Sequence, residues 1–371
     1  MIVKINGQQY KYFNDCSIQT TLASVASTFA FSGTFDINNP VHKKLFKPLQ
    51  YYRVQFFDED RANTPNGGLL STGTVVSHKF ASKAAPQNVM LSGYSISGIL
   101  EDCQLPPSAY PLEFTNQSLG QIGTKICKLL GINLIVYDIV KKECAQIIPR
   151  TVIKPDETLK NFLSKVAFQK NVIISHDIYG NIIMFKPDVK AAAKLSLNQT
   201  NCDSMELEIN GQELHSDITC IRQPDVGEVG DNPFQNNYDN LPSFESFGSS
   251  RKRKSFKIGT IDNTPDLLIG LFRPRVEVLT KGTFYNTLTA SQNLMAAELQ
   301  AIKVTFTLPY WPPVSIGDIV EIINPEIYIN TLTRMVIEST NISENNEKKV
   351  FIGTLVLPET FTGEQPKNIF S

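Results

Sequence analysis

With 371 residues, 42% hydrophobic and 19% charged, the chain suits roughly two to four domains and is not disordered by composition. Lys plus Arg number 35 against 36 Asp plus Glu, a formal net charge of −1, which argues against a dedicated duplex-DNA binder. The six dispersed cysteines form no CxxC pair, no apolar run reaches about eighteen residues, and the opening residues lack the pattern of a secretion signal. Reduced, mostly buried thiols and a chain made in a cytoplasm, without a membrane anchor, are therefore expected.

The first segment, residues 1–92, predicts strands. Phe29, Phe31 and Phe35 alternate with small or polar residues, and Tyr52, Val54 and Phe56 alternate with Tyr51, Arg53 and Gln55. That period of two describes half-buried antiparallel strands, and NTPNGG at 63–68 describes a hairpin tip, so this part reads as a small β-barrel or sandwich. Residues 93–190 read as an α+β insert. Ser118 and Gln121 form a capping box for a helix over 118–130, with Leu119, Ile122, Ile126 and Leu129 on one face and Gly131 at its end. A strand is expected over 132–137. A second helix, 157–169, takes Asp156 as its N-cap and Leu159, Phe162, Leu163 and Val166 as its stripe. A hairpin over 172–185 then turns at Tyr179-Gly180-Asn181.

Residues 191–222 and 303–357 predict a second β domain, with strands at 205–209, 217–222, 335–340 and 350–357, and an exposed loop at 341–349. Between them, 223–302 reads as a long loop plus a helix-containing insert. The loop (223–255) runs into the basic residues Arg251, Lys252, Arg253 and Lys254, and the helix stripe is Leu288, Met295, Leu299 and Ile302. A tail over 358–371 closes the chain.

After the first β segment comes the run SGYSISGILEDC (92–103). Its Ser92, Gly93, Ser95, Gly98, Leu100, Asp102 and Cys103, taken with the order of the segments, resemble a motif of the tail hub family of Mu-like contractile phages, although Tyr94 stands where Arg is usual. Similar too are the helix at 118–134, the helix and hairpin at 156–185 and, near the end, RPRVEV (273–278), TFTLPYWPP (305–313) and SIGDIVEI (315–322). The resemblance implies an α+β, mainly β fold: two tail-tube-like antiparallel β-barrels with α+β insert domains. It also implies a homotrimer whose six barrel units adapt the six-fold tail tube above to the three-fold central spike below. Other baseplate proteins would surround it, DNA would pass through the lumen, and the protein would reside in the virion after assembly in the host cytoplasm. The T-even phage hub and the N-terminal part of type VI secretion spikes share that architecture, so a type VI or extracellular injection spike component is a related alternative. A peptidoglycan-active or glycan-binding protein is the rival of another class.

Chemistry finds little footing. His42, His78, His176 and His215 are the only histidines, and no HExxH, GxSxG or P-loop is present. His78 falls on a strand face with Val76 and Phe80, which favours packing. Asp58-Glu59-Asp60 reads as a solvated hairpin end, and DVGEVGDN (225–232) lacks the spacing of a calcium loop. No catalytic residue, metal or cofactor is expected. The candidate partner interface comprises Trp311, Tyr310, Phe361, Ile369 and Phe370, with Arg251 to Lys254 as a docking or solvated arm. Core packing is an equal reading for Trp311, and a tail with no local core is assumed for Phe361, Ile369 and Phe370.

Overall fold

The alternating segments at the start of the chain form strands because one face of each finds apolar partners. In the computed structural model these are β1 (Ile2–Ile5), β2 (Gln8–Tyr10), β3 (Phe13–Thr21), β4 (Thr28–Thr34), then, after a short helix α1 (Pro40–Leu45), β5 (Arg53–Phe57), β6 (Leu69–Phe80) and β7 (Asn88–Ser95). The structure describes all residues except 11–12, 82–87, 223–256, 263–270, 280–286, 346–347, 365, 367 and 371. The strands pair antiparallel in the order β3-β4-β7-β6-β5-β1-β2. Phe29, Phe31 and Phe56 are buried between them, with the Phe29 and Phe56 rings 5.0 Å apart. Phe29 lies opposite Gly93 in the ladder. A Cβ on Gly93 would stand 2.0 Å from the Thr74 carbonyl oxygen and 2.8 Å from the Phe29 ring, so the ring occupies the space that this glycine leaves.

The next stretch holds α2 (Ile99–Asp102), β8 (Glu113–Ser118), α3 (Leu119–Leu129), β9 (Leu134–Val136), α4 (Lys141–Ala145), β10 (Ile147–Val152), α5 (Leu159–Phe168), β11 (Ile173–His176) and β12 (Ile182–Phe185). The capping box forms: the Ser118 amide donates to Gln121 Oε1 at 2.9 Å, and the Gln121 amide donates to Ser118 Oγ at 3.3 Å. Gly131 ends α3 with φ +69. Leu129, placed on the buried face by the sequence pattern, is exposed at the last turn. The cap of α5 is Thr158, not Asp156: Thr158 Oγ1 accepts from the Asn161 amide at 3.3 Å, because Asp156 sits in a preceding turn. Leu119, Ile122, Ile126, Phe162, Leu163 and Val166 bury against β11 and β12 residues Ile174, Ile182 and Met184 in one cluster.

After β13 (Leu195–Asn198) and β14 (Ser204–Ile209) the chain enters a second compact unit. The first unit is Met1–Ile209, Ile302–Phe361 and Ile369–Ser371; the second is Asn210–Ala301 with Thr362–Asn368. In the second, β15 (Asp217–Arg222) pairs with β16 (Lys257–Asp262) and β17 (Pro274–Leu279), beside helix α6 (Thr287–Glu298). Two expectations change here. Strand β15 belongs to this sheet and not to the closing β domain. The stripe predicted for α6 holds only in part: Leu288 is exposed and Leu299 and Ile302 lie just beyond the helix, whereas Met295, Leu299 and Ile302 are buried, together with Ala290 and Ser291. The helix approaches Gly259 so closely that a Cβ there would lie 2.5 Å from the Leu288 amide, which selects small side chains at the contact.

The closing part supplies β18 (Ile302–Leu308), β19 (Ile319–Asn324), β20 (Ile329–Asn345), β21 (Lys349–Val356) and helix α7 (Glu359–Thr362). Their order is β14-β18-β21-β20, with β19 joining β13 to β20. Again an aromatic faces a glycine: Phe306 pairs with Gly353, whose added Cβ would lie 2.4 Å from the ring. Residues 341–345, predicted as exposed loop, are strand, because β20 is paired there on both sides, with β21 and with β3. That β20–β3 ladder unites the opening and closing strands in one thirteen-stranded sheet.

Candidate assembly surfaces

The predicted interface residues separate by burial. Trp311 is 6% exposed and works inside the chain. Prolines on either side hold it clear of the ladder, and its Nε1 donates to the Ser343 carbonyl at 3.3 Å and the Val350 carbonyl at 3.2 Å, across β20 and β21. Lys349 Nζ stands 4.5 Å from the centre of the indole ring. The same ammonium reaches Asp58 at 3.4 Å and Asp60 at 2.5 Å, while Arg61 pairs with Asp58 at 3.2 Å and donates to the Trp311 carbonyl. A buried indole, two cations and two carboxylates therefore fasten the turn after β5 to the β20–β21 hairpin. Asp58 is buried within this group, which corrects the expectation of a solvated acidic end. Its hydrogen bond to Lys349 holds Asp60 below the usual carboxylate range. Burial draws Lys349 down, but the Asp60 hydrogen bond and the charges of Asp58 and Asp60 outweigh it and raise it.

Phe361 packs on Leu22, Phe185, Ile319, Val336 and Val356, so it has the local core that the sequence did not reveal. Ile369 is buried and Phe370 half-buried. Tyr310, 48% exposed, is the one large ring of the five that faces outward. Arg251, Lys252, Arg253, Lys254, the rest of the 223–255 loop and the 225–232 acidic run lie outside the described residues.

The motif around residues 92–103 makes a structural joint. Tyr94 Oη donates to the Asp102 carboxylate, and the ring lies on Gly98, where a Cβ would stand 2.3 Å away. Burial, then the Asp102 bond, pushes the Tyr94 phenol up. Ser95 Oγ accepts from the Ser27 amide at 3.1 Å and contacts Ser97 Oγ at 2.8 Å. The histidines also serve packing. His42 Nδ1 accepts from the Asp36 amide at 3.1 Å, His78 stacks on Phe80, His176 Nδ1 meets the Ser24 carbonyl at 3.1 Å, and His215 meets Glu298 at 2.8 Å. Among the described residues no group of three or more His, Cys, Asp or Glu side chains could hold a metal. No helix there is long and apolar enough to cross a membrane.

Surfaces left for association are edges. Among the described residues β2 and β14 each have a single neighbour and end the path of the large sheet. The β14 edge carries Glu206 and Glu208 between Met205, Leu207 and Ile209, charges of the kind that discourage indiscriminate strand pairing.

This architecture is α+β, mainly β, and it is the fold of Mu-like prophage tail proteins and of type VI secretion spikes. The 43 kDa tail protein of prophage MuSo2 from Shewanella oneidensis superposes with a TM-score of 0.74 at 20% identity, over 97% of this chain and 98% of that one. A tail protein from Neisseria meningitidis MC58 gives 0.70 at 13% identity, over 98% of each chain. A type VI secretion component of E. coli, described as similar to the T4 bacteriophage tail proteins gp27 and gp5, gives 0.53 at 10% identity over 99% of this chain and 80% of that one. No protein-family model and no curated protein sequence matches the chain.

Proposed function

We propose that the chain is a structural hub of a contractile-tail baseplate, working by geometry and not by catalysis. The observation that carries this reading is the agreement of fold with two tail proteins, over 97% or more of this chain and of each of theirs. In the proposed assembly three protomers close a ring. The opening strands β1–β7 and the closing strands β13, β14 and β18–β21 each act as a tube-like barrel unit, giving six units per ring. The tail tube docks above, the three-fold spike below, and DNA passes through a lumen sparing in basic side chains. Edge strands such as β14 and β2, together with Tyr310, supply contacts between neighbours. Closing the ring removes the open edges, and an obligate interface of this type buries more than about 2,000 Å². The protein is then a virion component assembled in the host cytoplasm. The fold shared with the E. coli type VI component also suits a hub in an injection machine of the same architecture.

The test is solution mass by light scattering behind size exclusion, with and without the candidate spike protein. Three protomers, alone or on adding the spike, is the expected result. A monomer indifferent to tail partners would refute the ring.

A further inference from the structure

A groove of about 1130 Å³ lies in the first unit, somewhat larger than the ~300–1,000 Å³ typical of small-ligand sites. Its lining includes Tyr137, Tyr179, Trp311 and the two prolines that follow it, and Ile342 of β20. Tyr137 and Tyr179 are 44% and 50% exposed, so both rings offer apolar faces to an occupant.

The charges in the groove are nearly all committed. Asp177 accepts the Tyr179 and Asn181 amides at 2.9 Å, Asp188 accepts the Lys190 amide at 3.1 Å, and Asp318 accepts the Ser315 amide at 2.7 Å. Asp318 also pairs with Lys194 at 2.9 Å, and Asp138 pairs with Lys141. Arg61 belongs to the Trp311 fastening. Lys186 is different: half-buried, it has no ion pair or hydrogen bond among the described residues. Burial lowers its pKa, and the field of Glu143 opposes that only in part, without a bond between them. A half-buried ammonium lacking a partner is a costly group to keep, and an incoming carboxylate would relieve that cost.

We propose that this groove receives an extended acidic segment of a partner protein, one of whose carboxylates pairs with Lys186 while apolar side chains rest on Tyr137 and Tyr179. Aromatic faces around one desolvated charge pair are the usual composition of an interface hot spot. The assignment goes beyond the hub reading and does not depend on ring formation.

The experiment is selection of a displayed library of random linear peptides on the full chain, followed by titration of the recovered peptides in solution. Recovered sequences should carry Asp or Glu beside apolar residues. Lys186→Met should weaken them at least about tenfold, as expected when one member of a desolvated charge pair is removed. Lys186→Arg should retain most of the affinity, and Lys128→Met, on the exposed face of α3, should change nothing. Replacing the critical peptide carboxylate by its amide should cost the wild-type chain the same factor, and that arm holds even if Lys186→Met folds poorly. The two changes together should add no further loss. Recovery of no peptide, of peptides without acids, or of acidic peptides indifferent to Lys186→Met would each overturn the proposal. The mass measurement remains independent: a trimer that binds no acidic peptide refutes this site alone.

Discussion

Replacing Trp311 by Phe separates a fastening inside the chain from an anchor between chains. Phenylalanine keeps an aromatic face under Lys349 but loses the Nε1 donor now shared between the Ser343 and Val350 carbonyls at 3.3 and 3.2 Å. One net hydrogen bond contributes about 0.5–1.5 kcal/mol. The weaker face that phenylalanine offers to a cation adds a part of the ~0.5–1 kcal/mol of an exposed cation–π pair. A loss of about 1–2 kcal/mol follows, which lowers Tm by a few degrees in a chain of this size. Truncation to Ala, which empties a buried site, should cost about 3–5 kcal/mol. Thermal unfolding at several protein concentrations reads both variants. Because Ser343, Val350 and Lys349 all belong to the same chain, the loss should be independent of concentration. An unchanged Tm in the dilute protein, with self-association weakened instead, would refute the assignment and restore Trp311 as an intermolecular anchor.

Gly93→Ala and Gly353→Ala should each destabilise by about 1–3 kcal/mol in denaturant titrations, since clashes with a ladder carbonyl and a ring outweigh the roughly 0.4–1 kcal/mol that alanine gains through the unfolded chain. Equal or greater stability would show that the rings have room to move. Ser118→Ala should cost about 1 kcal/mol and raise amide exchange in the first turn of α3, with α5 unaffected. Lys349→Met tests the charge group by pH. Asp60, held below its ordinary value, contributes stability that is present above the unfolded carboxylate range and is lost as pH falls through the folded value. Lys349, held above its ordinary value, contributes stability that is present below the unfolded lysine range and is lost as pH rises through the folded value. The gap between wild type and Lys349→Met should therefore be widest at neutral pH and narrow at both extremes, and a gap flat across pH would contradict the pairing.

Local chemistry was readable where neighbours in sequence are neighbours in space. The Ser118 and Gln121 cap, the left-handed Gly131 and the hairpin turn at Tyr179-Gly180-Asn181 each need only a few consecutive residues. The seat of Thr158 was missed because Asp156 is an equally good cap by type, and only the turn before α5 decides between them. Helix α6 departs from its stripe because its approach to Gly259 is made by the backbone at Thr287 and Leu288 and by the Ser291 hydroxyl, which give no hydrophobic period. Polar Asn341 and Ser343 read as loop, yet they lie in a strand flanked on both edges, where backbone pairing and not apolarity fixes the conformation. The role of Trp311 was undecidable from sequence, since Arg61 stands 250 residues away and Ser343 stands 32 residues away. Phe361 likewise has its partners spread from Leu22 to Val356.

The ladder between β3 and β20 also orders events during synthesis. Cys16 sits across from Glu344, so β3 has no neighbour on that edge until β20, far along the sequence, has left the ribosome. Contacts of such sequence separation form slowly, and a waiting strand edge invites pairing with other chains. The opening strands can collapse early, but their sheet is completed only by β20. A product that stops before β20 would thus present an open β3 edge, and one that includes β20 would cover it.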